Sequence, residues 1–371
     1  MTAEEFRAIV SGERHSFGAS LSRALLRAMG LFYGGAIHIR NFLYDHSFSR
    51  GIELPRPAIS VGNITLGGTG KSPMIAYLTG GLLRRGHQVG ILSRGYGAAL
   101  SDQASNQANK AGDSDQTNDE AAELRERFPE VPHYQAIDRV RAGQRLLREY
   151  PQTETLLLDD AFQYRRLKRS IDLVLIDATE PFGYGAIFPR GFLREPISSL
   201  RRADVVILTR ADLVSPEERE KILCRIRQNA PSALLCQAAH EPTALVKISP
   251  EGNFIRQTLD GRKTALEPYL HDSYLFCGIG NPEGFFRAAR QLGIDPAGTG
   301  IFPDHYPYTQ ESIDHLEKEA LAAGARQLLT TMKDLVKFRR HTVTLPCAAL
   351  EVGIRFLHGE DELWEKVLHS E

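Results

Sequence analysis

Residues Ile59 to Gly86 read ISVGNITLGGTGKSPMIAYLTGGLLRRG, and this stretch decides the fold. The apolar residues Ile59, Val61 and Ile64 open it, Gly67, Gly68 and Gly70 interrupt it, and Met74, Leu78 and Leu82 follow at helical spacing. The order is strand, loop, helix. In that setting a glycine-rich loop binds phosphate, because glycines let backbone N–H groups converge on an anion while the helix N-terminus adds partial positive charge. Gly67, Gly68, Thr69 and Gly70 are therefore candidate phosphate-binding positions, with Lys71 expected on the terminal phosphates and Ser72 on Mg²⁺. Thr65 stands where the pattern G-x-x-x-x-G-K-[ST] has its first glycine, so the loop is a variant.

On either side of this unit the chain alternates short apolar runs with helical patterns. Val89–Leu92, Leu156–Leu158, Leu173–Ile176 and Val205–Leu208 read as parallel strands buried on both faces, and Glu120–Phe128 and Arg139–Tyr150 as helices. The fold class expected is α/β, a P-loop-type, doubly wound, mostly parallel sheet. Beyond Asp212 a charged helix, Pro216–Gln228, opens a second and smaller α/β region. It holds strands near Ala244–Ile248, Tyr274–Phe276 and Gln327–Thr330, and helices at Glu283–Leu292 and Gln310–Ala323. The boundaries expected are 1–50 for an N-terminal segment, 51–215 for the core, 216–345 for the smaller domain and 346–371 for a C-terminal segment that returns to the core. Ala98–Thr117, rich in Ser, Asn, Gln, Asp and Ala, has almost nothing to bury and reads as a mobile loop.

Composition narrows the classes. With 371 residues and a net charge of −1, the chain has room for two cores and no global field for nucleic acid. Four cysteines lie far apart without a C-x-x-C pair, which suggests neither zinc nor a disulfide framework and fits a reducing cytoplasm. No apolar run is long enough to span a bilayer, and the first fifteen residues do not read as a cleavable signal. Leu21–Tyr44 is different: Leu25, Met29, Phe32 and Phe42 alternate with Arg23, Arg27, His38 and Arg40. Such a helix either lies in a membrane interface or packs on the core.

Three further clusters carry chemistry. Leu156–Asp160 (LLLDD) ends a strand in two carboxylates, and strand ends of such sheets face ligands, so Asp159 and Asp160 are candidates for Mg²⁺. Leu208–Asp212 (LTRAD) is close to the T-K-x-D pattern that selects guanine, with Arg210 in place of lysine, and keeps a GTP-dependent switch or chaperone NTPase open as an alternative. Phe302–Thr309 (FPDHYPYT) sets His305 beside Asp304, either a turn or a proton-handling pair.

The succession GNITLGGTGKSP, ILSRGYG, NDE, DDAFQYRRL, LREP, GIGNP, FPDHYPYT and TTMKD resembles, in the same order, the tetraacyldisaccharide 4'-kinase family of lipid A biosynthesis. The resemblance implies transfer of the γ-phosphate of ATP to the 4'-hydroxyl of tetraacyldisaccharide 1-phosphate, giving lipid IVA. It also implies a peripheral enzyme on the cytoplasmic face of the inner membrane of a Gram-negative-type bacterium, which favours the interfacial reading of Leu21–Tyr44. A lipid disaccharide and a membrane surface are then the partners, with no nucleic acid and no obligatory protein partner. By the same resemblance Asp119 is the catalytic base, supported by His305 with Asp304. Asp159, Asp160 and Gln163 lie near nucleotide and metal, and Arg139, Arg194 and Glu195 line the cleft between the domains. Asp119 and His305 fall in different expected domains, so a closure on binding ATP is expected to bring them together. Asn118, Ala161, Tyr164, Tyr306 and Met332 depart from the family's residues, and a nucleotide-binding but catalytically degenerate paralogue is the second alternative.

Overall fold

The computed structural model describes residues 3–46, 48, 51–95, 119–249, 253–259, 266–339 and 341–369. The polar stretch Ala98–Thr117 and the departure at Asn118 lie outside them. The chain folds as two units, Met1–Arg94 with Tyr134–Ala239 and Arg355–Glu371, and Gly95–His133 with His240–Ile354.

In the first unit the apolar run before the glycine loop is β1 (Ala58–Asn63), flanked by β4 (Thr155–Asp159) and β5 (Ile171–Asp177). β2 (Val89–Ser93) adds beside β4, β6 (Val205–Thr209) beside β5, and the start of β7 (Leu234–Ile248) beside β6. All five of these pairings are parallel. β1, β2, β4 and β6 are buried along their whole length, which is why the middles of β4 and β6 appear in the sequence as unbroken apolar runs. The helices start where local chemistry predicts. α3 (Lys71–Arg84) begins at Gly70, whose φ of +94° suits a residue without Cβ. In α5 (Arg139–Glu149) the Asp138 carboxylate accepts from the Val140 and Arg141 amides, and in α6 (Pro216–Asn229) Ser215 accepts from the Glu218 amide behind a proline at the first turn.

The ends of the chain also belong to this unit. α1 (Ala3–Ser11) and the 29-residue α2 (Phe17–Asp45) come first, and α10 (Glu360–Leu368) closes it. Trp364 of α10 lies over Gly81 of α3 so closely that a Cβ there would sit 2.2 Å from the indole, and its Nε1 donates to Tyr77 Oη at 2.8 Å. Arg85 stacks on the same ring at 4.0 Å.

In the second unit β9 (Ser273–Cys277) lies between β10 (Gly298–Ile301) and β11 (Gln327–Thr331), both parallel to it, and β12 (Cys347–His358) runs parallel to β11. β8 (Phe254–Thr258) pairs antiparallel with the distal part of β7. α7 (Pro282–Gln291), α8 (Gln310–Ala322) and α9 (Met332–Phe338) complete it, with Phe276, Ile313, Leu316, Leu328 and Phe338 in one core.

The borders fall elsewhere than expected. α6 stays with the first unit because Ile222, Leu223 and Ile226 pack into the core that holds Val206 and Leu208, although its other face is charged. Residues 95–133, expected in the P-loop core, belong to the second unit. Their helix α4 (Asp119–Arg127) buries only Ala121 and Leu124 and is tied by ion pairs, Glu120 to Lys333 at 2.7 Å, Glu126 to Arg339 at 2.5 Å and Arg127 to Glu351 at 3.2 Å.

Candidate functional site

The glycine loop is braced from behind. The Leu66 amide donates to the Phe192 carbonyl at 2.7 Å, and Asn63 Nδ2 to the Thr65 carbonyl at 2.8 Å. Gly67 has a φ of +106°, and a Cβ on Gly67 or Gly68 would meet open space, so backbone rather than side chain faces outward there. Thr69 and Ser72 are buried, and Thr69 Oγ1 and Asn63 Oδ1 have no hydrogen-bond partner among the described residues. Burying such atoms unpaired costs about 1–3 kcal/mol each, so the loop is fitted to a polar ligand.

Asp160, one residue past β4, gathers the cations. Arg194 Nη1 donates to both of its carboxylate oxygens at 2.8 and 2.9 Å, and Lys71 Nζ lies 3.7 Å away. Burial alone would push this carboxyl up, but Lys71 and Arg194 outweigh it and hold the group below the ordinary carboxylate value. Arg139 donates to the Asp160 carbonyl at 3.1 Å from a buried position, with its guanidinium 5.2 Å above the Tyr164 ring. Asp159, paired in register with Val61, is buried at the end of β4. Gln163 Nε2 donates to the Asn63 carbonyl at 2.8 Å, tying the strand-end cluster to the root of the loop.

Two candidates serve other purposes. LTRAD is a brace rather than a base reader: Thr209 Oγ1 donates to the Thr69 carbonyl at 3.0 Å, and Arg210 Nη1 to the Gly68 carbonyl at 3.0 Å while pairing with Asp177. Glu195 has no exposed surface, and its carboxylate accepts from Arg40 at 2.7 Å, Asn41 at 3.2 Å and Arg202 at 2.8 Å. It therefore anchors α2 to the core instead of lining a cleft. The rest of α2 divides by face. Ala19, Gly30, Ile37 and Asn41 are buried, whereas Phe17, Leu21, Leu25, Met29, Phe32, Ile39 and Leu43 recur at helical spacing and stay exposed, Phe32 by 83%.

In the second unit Asp119 opens α4, and its Oδ2 lies 2.9 Å from His305 Nδ1. An ionised carboxylate can only accept, so the imidazole proton sits on Nδ1. His305 is held in the left-handed region at φ +59°, with its amide donating to the Gly278 carbonyl at 3.2 Å. Gly278 explains part of GIGNP: a Cβ there would stand 3.1 Å from Asp334, from Tyr308 and from the Pro303 carbonyl. Asp304, expected beside the imidazole, is half exposed and 3.9 Å from Nε2, so Asp119 is the oriented partner. The expectation that Asp119 and His305 lie in separate domains is overturned. Both belong to one unit and are already paired, which removes the ground for a closure that would join them. Sequence reasoning missed Lys337, whose Nζ is 2.8 Å from the same Asp119 oxygen. Its signal was the position three residues after Asp334 on a short helix.

The departures on described residues are absorbed by packing. Ala161 is fully buried among Leu158 and Leu167, and Met332 packs on Val246, Leu335 and Ala349. Tyr164 carries Arg139 on its ring, and Tyr306 packs tilted against Phe302 at 4.9 Å and edge-on against Tyr308 at 5.1 Å.

The chain is similar to known proteins along most of its length. Residues 22–370 match the family model described as Tetraacyldisaccharide-1-P 4'-kinase. The tetraacyldisaccharide 4'-kinase of Anaeromyxobacter dehalogenans (strain 2CP-C) is 36% identical over 322 residues, 86% of this chain and 82% of that protein. That of Geobacter sulfurreducens (strain ATCC 51573 / DSM 12127 / PCA) is 34% identical over 344 residues, covering 92% and 91%. Among solved structures, "apo" form LpxK from Aquifex aeolicus in complex with ATP superposes with a TM-score of 0.71 at 27% identity, over 94% of this chain and 99% of that one.

Proposed function

The chain belongs to the tetraacyldisaccharide 4'-kinase family, and from that premise we propose how its residues divide the transfer of the γ-phosphate of ATP to the 4'-hydroxyl of tetraacyldisaccharide 1-phosphate. The product is lipid IVA. The loop amides of Gly67 to Gly70 hold the nucleotide phosphates, and Lys71 with Arg194 turns from Asp160 toward the γ-phosphate. Phosphoryl transfer passes through a loose transition state, so this positioning and charge neutralisation are the main contribution of the first unit.

The donor set fits Mg²⁺, a hard cation that takes oxygen ligands: Ser72 Oγ and the carboxylates of Asp159 and Asp160 would hold it. When bound, it neutralises charge on the β- and γ-phosphates.

The observation that carries the reading is the hydrogen bond between Asp119 and His305. Asp119 accepts the proton of the 4'-hydroxyl as that oxygen forms its bond to Pγ and the bond from Pγ to the ADP oxygen breaks. His305 fixes the carboxylate's orientation. Guanine selection is not favoured, because Arg210 is committed to Gly68 and Asp177.

No described helix is long and apolar enough to cross a membrane. α2 instead fits the cytoplasmic surface of the inner membrane, with its apolar face in the interface and the exposed Arg27 on anionic headgroups. Replacing Leu25, Phe32 and Ile39 with serine is expected to weaken binding to vesicles with anionic lipid. Binding equal to wild type would make the face structural only.

The test is transfer of label from γ-³²P-ATP to tetraacyldisaccharide 1-phosphate in mixed micelles. Loss of labelled lipid in Lys71→Ala and a steep fall in Asp119→Ala supports the division of labour. A fully active Asp119→Ala enzyme removes Asp119 from the mechanism.

A further inference from the structure

Asp119 has two partners, and both converge on one oxygen. His305 Nδ1 is 2.9 Å from Oδ2 and Lys337 Nζ is 2.8 Å from the same atom. Lys337 is itself immobilised: its ammonium donates to the Tyr306 carbonyl at 3.2 Å, lies 3.9 Å from Asp334 Oδ1 and sits 5.7 Å from the Tyr308 ring centroid. Asp334 is fully buried and fixed in turn by the Gly278 amide at 3.0 Å, Thr331 Oγ1 at 2.7 Å and Tyr308 Oη at 3.2 Å. The lysine is thus wedged between a rigid carboxylate and the working one. The ion pairs of Glu120 with Lys333 and Glu126 with Arg339, which tie α4 to α9 and its C-terminal edge, hold the helix but not the Asp119 side chain.

We propose that Lys337 is a positioning residue for the transfer step: by occupying Oδ2 together with His305, it turns Oδ1 toward the acceptor and makes it the atom that takes the hydroxyl proton. The proposal rests on reading Asp119 as the base. In the step itself the O4'–H bond breaks with its proton going to Asp119 Oδ1, the O4'–Pγ bond forms, and the Pγ–O bond to ADP breaks with its electron pair leaving on ADP. Lys337 keeps its protons throughout. A carboxylate held by the imidazole alone could still rotate about χ2 and present either oxygen. A second donor of different origin stops that rotation, and misplacement of a reacting group by about 1 Å costs on the order of 10²-fold.

The experiment compares Lys337→Met, Lys337→Arg, Asp119→Ala and the double variant Asp119→Ala/Lys337→Met in the labelled transfer assay, with enzyme concentrated to read residual turnover. Lys337→Met is expected to lower kcat roughly 10- to 100-fold with KM for ATP unchanged. Lys337→Arg should restore part of the loss, and the effect should vanish in the Asp119→Ala background, since groups acting as one unit are not additive. An unchanged kcat in Lys337→Met, or a loss of equal size with and without Asp119, overturns the proposal. Should Lys337→Met fail to fold, Lys337→Arg alone and in the Asp119→Ala background decides the same question by the same non-additivity. A fully active Asp119→Ala enzyme instead overturns the base reading and is recognised separately.

Discussion

Both units set an aspartate in contact with cations, and the proposed mechanism gives the two aspartates opposite jobs. Asp160 lies beyond the end of a buried parallel strand, with Lys71 and Arg194 turned onto it beside a loop of amides. In the proposed mechanism the cations there are the working groups, and the carboxylate organises them until phosphate arrives. Asp119 lies at the start of a short, mostly polar helix, and its partners come from far along the chain, His305 from 186 residues away and Lys337 from farther still, separations whose loop-closure cost grows only slowly with length. In the same proposal the carboxylate here is the working group and the cations are its support. A carboxylate–cation contact therefore says little about which partner is functional. What decides is the side left facing the ligand: an amide-lined loop in one unit, an acceptor oxygen in the other.

The sharpest way to break this contrast is to remove each working group and measure binding as well as turnover. Asp119→Ala should lose roughly 10²- to 10⁴-fold in kcat while binding ATP normally. Lys71→Ala should lose about 10²- to 10³-fold and weaken nucleotide binding as well. Equal binding defects in both would erase the difference. A smaller effect probes the brace behind the loop: Arg210→Ala should raise KM for ATP roughly tenfold, as loss of a charge-assisted hydrogen bond of about 1.5 kcal/mol implies, with KM for the lipid unchanged. A raised lipid KM alone would deny the brace.

The smallest effect is on pH. Burial pushes Glu123, on α4, up from its ordinary 4.5 to about 7, against the pull of Lys333. Its neutral form is favoured in the fold, so its share of stability is complete below pH 4.5 and is lost as pH rises to about 7. Burial depresses His133 to about 3, so its share runs the other way and is lost as pH falls below 6.5. Glu123→Gln should therefore remove only the loss on the alkaline side, read as slower exchange of α4 amides at pH 7 than in wild type and equal exchange at pH 4.5. Identical exchange at both values would show that Glu123 ionises in the fold as it does in the unfolded chain.

The same contrast explains what was legible in the sequence. The first unit announces itself because parallel strands buried on both faces leave unbroken apolar runs, and a glycine loop before a helix has a local signature. The strand-end pair Asp159–Asp160 follows from that topology alone. Long-range ion pairs leave no such trace. Glu195 reads as a cleft residue in sequence, although α2 needs it as an anchor, and α4 was assigned to the wrong unit because its attachments are charges 213 residues away. Lys337 was missed for the same reason. β8, β10 and β12 also went unread: β10 is two glycines in four residues, and β12 mixes charges into its apolar pattern.

Trp364 on Gly81 carries a consequence for synthesis. The helix that follows the phosphate loop is made early, but the indole that fills its groove comes from nearly 290 residues later. A nascent chain on the ribosome can form β1 and α3 with that groove still open to water, and the first unit is finished only after the second has emerged in full. Such a discontinuous order leaves α3 without its indole cover until α10 has been made.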